Sequence, residues 1–131
     1  MPIVRADVPA WATEEQLAAT KGELRRCIER TWARDHIWIA VRPMYTERGD
    51  PTVILTVDLR DGRGQEKNRT QALFDEALGA CNRIFGTTDD KLIVLVRKFK
   101  REECVSGGSE LPPLEELTPP LRHPKGRKQL A

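Results

Sequence analysis

The stretch Asp35-His36-Ile37-Trp38-Ile39-Ala40-Val41-Arg42 decides the fold, because its pattern returns between Asp90 and Arg97. Both copies have an aspartate, then an apolar run typical of a β-strand, and then an arginine. Asp7 and Asp58 occupy equivalent positions in the strand that begins each half of the chain. A segment of helical length separates the two strands of each half. We therefore interpret the chain as two copies of a β-α-β unit.

Local signals place the helices and strands of each copy. Thr13 and Gln16 have the spacing of a capping box, in which two residues satisfy backbone N–H groups at the start of a helix. Gly86 is well placed to end the second helix. The sequence Arg60-Asp61-Gly62-Arg63-Gly64 is typical of a tight turn, since an Asp-Gly pair supplies the backbone freedom that a turn needs. Together these patterns predict strands over 3–8, 36–41, 53–59 and 92–96, and helices over about 14–33 and 65–85.

The duplicated unit predicts a topology. Each β-α-β unit joins two parallel strands by a right-handed crossover. Two units side by side give an α/β (α+β) fold, a four-stranded sheet with both helices on one face. Because apolar residues lie on both sides of strands 53–59 and 92–96, we expect another copy of the chain to cover the other face. The same order of elements also describes a ferredoxin-like fold, and the pattern leaves both topologies open.

The length of 131 residues corresponds to one domain. We assign that domain to residues 2–108, with its two units at 2–43 and 51–108. Residues 109–131 differ in composition, because they are rich in proline and end in a basic stretch. This tail is either a loose surface strap or a segment that docks on a neighbouring subunit, and its last ten residues are expected to be disordered. The docking alternative rests on four leucines: Leu111, Leu114, Leu117 and Leu121.

Composition excludes several classes of protein. The formal net charge is +2, from 22 basic and 20 acidic residues, which favours neither a nucleic-acid binder nor a membrane-surface protein. No apolar run reaches the ~18 residues of a membrane span, and the N-terminus does not resemble a signal peptide. Three cysteines without CxxC spacing fit free thiols in the cytoplasm, and with only two histidines a metal site is not expected.

Pro2 precedes the first predicted strand, at a chain end that would normally fray unless something held it. We expect Met1 to be removed, because the residue after it is small, and Pro2 then carries a free secondary amine. An α-amino group titrates near ~8 in water, and burial or nearby cations lower that pKa toward neutrality. Because a base with a pKa near the working pH suits proton transfer, Pro2 is a candidate catalytic residue.

A chain that opens with proline after methionine and contains two fused β-α-β units resembles the tautomerase superfamily. Residues 57–67, with a strand end, a Gly-Arg turn and a Glu-Lys helix start, are similar to that region of 4-oxalocrotonate tautomerase. The pair Gly107-Gly108 resembles the terminal hairpin of the same family. The fused length is similar to the cis-3-chloroacrylic acid dehalogenase and malonate semialdehyde decarboxylase branches. The resemblance covers about residues 2–108 and implies a homotrimer, a small carboxylate substrate and no cofactor.

The resemblance also implies roles for particular residues. Arg60 and Arg63 have the spacing of the dehalogenase's two carboxylate-binding arginines, although they are also compatible with two solvated arginines that flank a surface turn. Guanidinium groups pair with carboxylates in a bidentate fashion. Asp35 resembles the water-activating or polarising aspartate of the decarboxylase branch. Trp38 and Cys104 are assigned to substrate binding, while core packing is the alternative for a mid-strand Trp38.

Departures from the family narrow the expected activity. Pro51 begins the second unit but is internal, so it has no free amine and one active site per chain is expected. The first unit has Pro9-Ala10-Trp11-Ala12 in place of the Gly-Arg turn. No residue matches the dehalogenase's active-site histidine, and its glutamate falls near Gly107. Keto–enol tautomerisation needs least beyond an amine and a carboxylate clamp.

Three functions follow from these observations. The first is a cofactor-independent tautomerase or isomerase in which Pro2 moves a proton on a small 2-oxo or unsaturated carboxylate. The second uses the same site for hydration, dehalogenation or decarboxylation of a small three-carbon acid. The third is a non-catalytic ferredoxin-like module that binds RNA or protein, although its strands lack an aromatic platform for base stacking.

Overall fold

The structure of the protein is a computed structural model, which describes residues 2–105, 108, 111, 113, 114 and 117–121. Its order of elements is strand-helix-strand followed by a second strand-helix-strand, as the repeat predicted. Two short 3₁₀ turns flank the last strand, at Asp89–Lys91 and Arg101–Glu103. The six main elements are β1 (Ile3–Pro9), α1 (Glu14–Thr31), β2 (Trp38–Met44), β3 (Val53–Arg60), α2 (Glu66–Phe85) and β4 (Leu92–Phe99).

The four strands form one sheet in the order β2-β1-β3-β4. Strands β1 and β2 are parallel, β3 and β4 are parallel, and β1 meets β3 in antiparallel register. In a ferredoxin-like fold the two strands of each β-α-β unit are split apart. Here they are direct neighbours, which confirms the side-by-side arrangement of two units and excludes the ferredoxin-like alternative.

Both helices begin or end as their sequence signals predicted. At the start of α1, the backbone N–H of Gln16 donates to the hydroxyl of Thr13 (3.1 Å), and the side-chain carbonyl of Gln16 accepts from the N–H of Thr13 (2.9 Å). Gly86 ends α2 with φ at +76°, in the left-handed region where glycine avoids the strain of a side chain. The capping box and the glycine cap are therefore both confirmed.

The core lies between the helices and one face of the sheet. Alternate residues of β1 and β3 point into it, as expected for strands with one buried face. Both helices contribute their apolar stripes, because those stripes have the 3.6-residue period of a helix. The fully buried side chains include Val4, Ala6, Val8, Leu24, Ile28, Leu55, Val57, Leu59, Leu73 and Ala77.

The opposite face of the sheet is open in the single chain. Ile93 and Leu95 of β4 are 52% and 50% exposed, as expected for apolar residues on the side of this strand that faces away from the helices. Trp38 is 47% exposed at the first position of β2, which corrects the expectation that it packs in the core. Charges on this face are paired, since Asp58 forms ion pairs with two arginines of the neighbouring strands, Arg5 and Arg97. Its remaining apolar surface is the part that another molecule would cover.

Described residues of the C-terminal segment pack against the same chain. Leu111 is 4% exposed, Leu114 lies beside the turn at Gly62, and the carbonyl of Leu117 accepts a hydrogen bond from the N–H of Arg34. These three leucines therefore contact their own domain. The alternative expectation was that they dock on a neighbouring subunit. The expectation of disorder concerns 122–131, which lie outside the described residues.

Over the part of the chain that the structure describes, neither helix is long and apolar enough to cross a membrane. The three cysteines are free thiols. Burial raises the pKa of Cys27 to about 11 and that of Cys81 to about 12, so both thiols stay protonated at neutral pH.

Candidate active site

The predicted site residues gather at one end of the sheet. The starts of β1 and β2 meet the ends of β3 and β4 there, because the two parallel pairs run in opposite directions. The end of α1 and the start of α2 reach the same place, since each helix returns the chain between two parallel strands. The arginine end, as we name this end of the domain, thus collects side chains from distant parts of the sequence.

Pro2 is buried at the start of β1. Its carbonyl accepts a hydrogen bond of 3.0 Å from the backbone N–H of Trp38. Ile3, the next residue, pairs with Asp58 in antiparallel register, so Pro2 lies beside the last residues of β3, which ends at Arg60. The backbone around Pro2 is therefore held on both sides by neighbouring strands.

The turn between β3 and α2 carries both predicted arginines. The backbone N–H of Asp61 donates to the carbonyl of Phe99 (2.7 Å), which fixes the end of β3 against β4. Gly62 has φ at +93°, the left-handed conformation that the Asp-Gly pair predicted. Only 4% of Arg60 and 8% of Arg63 is exposed, so the alternative of two solvated arginines on a surface turn is wrong.

Described residues hold the guanidinium of Arg63 on one side, through its Nη1. Its Nη1 donates to the carbonyl of Trp32 and to the hydroxyl oxygen of Thr118, both at 3.3 Å. Its Nε and Nη2 are buried and have no hydrogen-bond partner among the described residues. These two nitrogens form one edge of the planar group, and such an edge binds both oxygens of a carboxylate. Arg63 therefore presents a bidentate donor pair inside the protein.

A third buried arginine, Arg69, belongs to the same cluster and was not among the predicted site residues. Its Nε donates to the carbonyl of Gly64 (2.9 Å). Its Nη1 donates to the carbonyls of Thr31 (2.8 Å) and Pro119 (3.0 Å). Arg69 thus ties together the turn before α2, the end of α1 and the C-terminal segment.

The sequence holds a signal for Arg69 but none for Thr118. Arg69 precedes Ala72 by three residues and Leu73 by four, so a charged residue lies on the apolar stripe of α2. A charge in that position indicates a buried partner. Thr118 lies in a proline-rich segment without periodicity, where no pattern shows which side chains face the domain.

Two of these arginines also stabilise the end of α1. The last carbonyls of a helix lack partners within the helix and carry a partial negative charge. Arg63 donates to the carbonyl of Trp32 and Arg69 to that of Thr31, so both satisfy such groups. The cluster therefore has a structural role that exists without any ligand.

Asp35 is half-buried in the loop after α1. Burial lowers the pKa of the Arg63 guanidinium; Asp35 opposes this shift, whereas Arg60 and Arg69 add to it. Three guanidinium groups and one carboxylate thus act on each other at this end. Because an arginine keeps its charge throughout the physiological pH range, the balance is positive and favours an anion.

The other two predicted site residues are Trp38, at the start of β2, and Cys104, beyond the end of β4. Trp38 is next to Pro2 through the backbone hydrogen bond, with its side chain on the open face of the sheet. Cys104 follows the short 3₁₀ turn after β4, and its N–H donates to the carbonyl of Arg101 at 3.4 Å. Its side chain is half-buried.

Several solved structures share this arrangement of elements at low sequence identity. A macrophage migration inhibitory factor-like protein from Entamoeba histolytica is 12% identical, with a TM-score of 0.71 over 84% of this chain and 98% of that one. A wild-type fused 4-OT symmetric trimer is 16% identical, with a TM-score of 0.69 over 82% and 94% of the two chains. N1, a member of the cis-3-chloroacrylic acid dehalogenase family, is 16% identical, with a TM-score of 0.66 over 84% and 83%.

The chain has the tautomerase-superfamily fold. No protein-family model and no curated protein matches the sequence. The fold is therefore recognised through its geometry, while overall sequence identity is low.

The tautomerase fold of this chain also has a groove of about 560 Å³ between α2 and β4. Trp32, Phe74, Val94 and Val96 line it together with polar residues, whereas Pro2 and the predicted arginines do not. Among the described residues, no group of three or more His, Cys, Asp and Glu side chains is arranged to hold a metal ion. The groove therefore adjoins the arginine end, because Trp32 just after α1, Glu66 at the start of α2 and Lys98 near the end of β4 line it.

We expect Arg69→Met to destabilise the domain by about 2–4 kcal/mol, because two buried carbonyls and one partly buried carbonyl lose a charged donor. The free energy of unfolding is to be measured by urea denaturation at fixed protein concentration. Arg26→Met is the matched control: Arg26 is exposed and pairs with Glu23 on the same helix, so it should cost less than about 0.5 kcal/mol. Equal losses in the two variants would contradict the structural role of Arg69.

Proposed function

We propose that the chain is a cofactor-independent tautomerase that acts on a small 2-oxo or unsaturated carboxylate. The observation that carries the proposal is the position of buried Pro2 beside a strand end whose turn holds two buried arginines. The Nε–Nη2 edge of Arg63, which has no partner among the described residues, supports it further, because a substrate carboxylate would satisfy that edge. The names of the structural neighbours, a fused 4-OT trimer and a member of a dehalogenase family, agree with this class of enzyme.

In the proposed mechanism, removal of Met1 leaves Pro2 with a free amine. Neighbouring cations lower the pKa of an amine, so at neutral pH the Pro2 nitrogen is largely neutral and acts as a base. From an enol substrate it takes the hydroxyl proton, and from a 2-oxo acid it takes a proton from the carbon next to the carbonyl; in both cases the electron pair of the broken bond stays on the substrate as an enolate. Arg60 stabilises the developing negative charge, and Arg63 holds the carboxylate. The protonated amine then returns the proton at a different atom, which completes an isomerisation.

We further propose that the active form is a homotrimer in the cytoplasm. The open face of the sheet exposes apolar side chains on both of its edge strands, Trp38 on β2 and Ile93 and Leu95 on β4, and exposed apolar surface favours contact with another molecule. The neighbour described as a symmetric trimer supports three copies. A neighbouring copy against this face would also enclose the surroundings of Pro2, with Trp38 beside it. Trp38 and Cys104 keep their proposed roles in substrate binding.

Blocking the amine is the direct test. Protein that begins with Pro2 is compared with protein that carries Gly-Ser before Pro2, using phenylenolpyruvate and 2-hydroxymuconate as substrates. We expect the block to lower kcat/KM by about 10²–10⁴-fold, the usual contribution of a general base. The same two residues added after Ala131 serve as the control and should change nothing. Full turnover with a blocked terminus would exclude Pro2 as the base.

Hydration, dehalogenation or decarboxylation is the second candidate, because Asp35 acts electrostatically on Arg63 within the cluster. These reactions need an activated water or a polarised substrate. We expect Asp35→Asn to abolish turnover of 3-haloacrylates or malonate semialdehyde and to lower tautomerisation by less than about tenfold. Steady-state kinetics on both substrate classes check this. Glu29→Gln, an exposed change near the end of α1, is the control. An unchanged rate on the acid substrates would remove Asp35 from that mechanism.

A further inference from the structure

The C-terminal segment crosses the arginine end, and hydrogen bonds fix its described residues there. The N–H of Arg34, next to Asp35, donates to the carbonyl of Leu117 at 2.7 Å. On the other side, Nη2 of Arg101 donates to the carbonyl of Leu111 at 2.9 Å. The N–H of Leu117 also donates to the carbonyl of Leu114 at 3.0 Å, which makes a turn in the segment. The segment is therefore anchored on both sides of the cluster.

Two adjacent residues of this segment contact the arginines directly. The hydroxyl oxygen of Thr118 accepts from Nη1 of Arg63 (3.3 Å), and the carbonyl of Pro119 accepts from Nη1 of Arg69 (3.0 Å). Thr118 is half-buried and Pro119 is buried. Since no predicted site residue comes from this part of the chain, these contacts add a new segment to the site.

We propose that Thr118 is a positioning residue, which orients Arg63 so that its Nε–Nη2 edge receives the carboxylate of the substrate. A planar guanidinium has one orientation once Nη1 is fixed by two acceptors, here Thr118 and the carbonyl of Trp32. The remaining edge is buried and unpartnered within the described residues, so it is prepared for a ligand. Preorganised donors lose less conformational entropy on binding, which strengthens the interaction.

The contacts also define the class of ligand. A carboxylate has two oxygens at the spacing of the Nε–Nη2 pair, whereas a single carbonyl oxygen would leave one buried donor unsatisfied at a cost of free energy. The identification of this ligand as a substrate rests on the proposed function. The role of Thr118 in anion binding does not, because a carboxylate that cannot react will still bind.

The test compares Thr118→Val, which keeps the shape but loses the hydroxyl, with Thr118→Ser, which keeps the hydroxyl. Oxalate, a carboxylate that cannot tautomerise, is the probe in isothermal titration calorimetry on the full chain. We expect Thr118→Val to weaken oxalate binding and to raise KM for phenylenolpyruvate by about tenfold, the size of one hydrogen bond to a charged group, with kcat unchanged. Thr118→Ser should restore both values.

A control substitution at Thr46 and a second substitution at Thr118 complete the test. Thr46→Val removes a hydroxyl that donates to the carbonyl of Glu47, beyond β2 at the other end of the sheet, and should change neither quantity. Thr118→Ala replaces Thr118→Val if the latter does not fold. Oxalate affinity and KM that are the same in wild type and Thr118→Val would overturn the positioning role, as would the absence of oxalate binding to the wild type. Thr118-dependent oxalate binding without any Pro2-dependent turnover would instead defeat the proposed function and leave the positioning role standing.

Discussion

The antiparallel pairing of β1 with β3 is the constraint on which the rest of this structure depends. Ile3 lies opposite Asp58, so the start of the first strand is beside the end of the third. Register in a sheet with one buried face is fixed by that face, because a slip of one residue would turn every core side chain outward. Val4 and Val57 are partners in this register and both are fully buried. Packing of the core therefore also decides which residues surround Pro2.

Burying several guanidinium groups at one end costs free energy, and hydrogen bonds from these groups offset part of that cost. Removing a charge from water is unfavourable unless hydrogen bonds compensate for it. Arg69 offsets its cost by donating hydrogen bonds to three carbonyls. Arg63 offsets part of its own by donating to the carbonyl of Trp32 at the end of α1 and to the hydroxyl oxygen of Thr118. The desolvation cost that Arg63 does not offset comes from its Nε–Nη2 edge, which has no hydrogen-bond partner among the described residues. The proposed binding of an anion rests on this donor edge, which has no partner among the described residues, and it links the stability of this end to its proposed function.

The fold could be predicted because its signals are local and repeated. The duplicated strand pattern, the capping box at Thr13 and the glycine at Gly86 each report a nearby chain geometry, and each is confirmed. The site was less accessible to prediction. Arg60 and Arg63 could be named through a motif, but their burial depends on tertiary packing of the turn. Trp38 was assigned to the core as an alternative because its strand is apolar, yet it heads a strand at the edge of the sheet and faces outward.

The electrostatic influence of the arginines on the Pro2 nitrogen is the central claim, and an NMR titration tests it directly. Protein that begins with Pro2 is labelled with ¹⁵N-proline, and the chemical shift of the terminal nitrogen is followed from acid to alkaline pH. The account predicts a pKa clearly below ~8, the value of an exposed α-amino group, and a rise of that pKa in Arg60→Gln. A terminal amine that titrates near ~8 in both the wild type and the variant would contradict it.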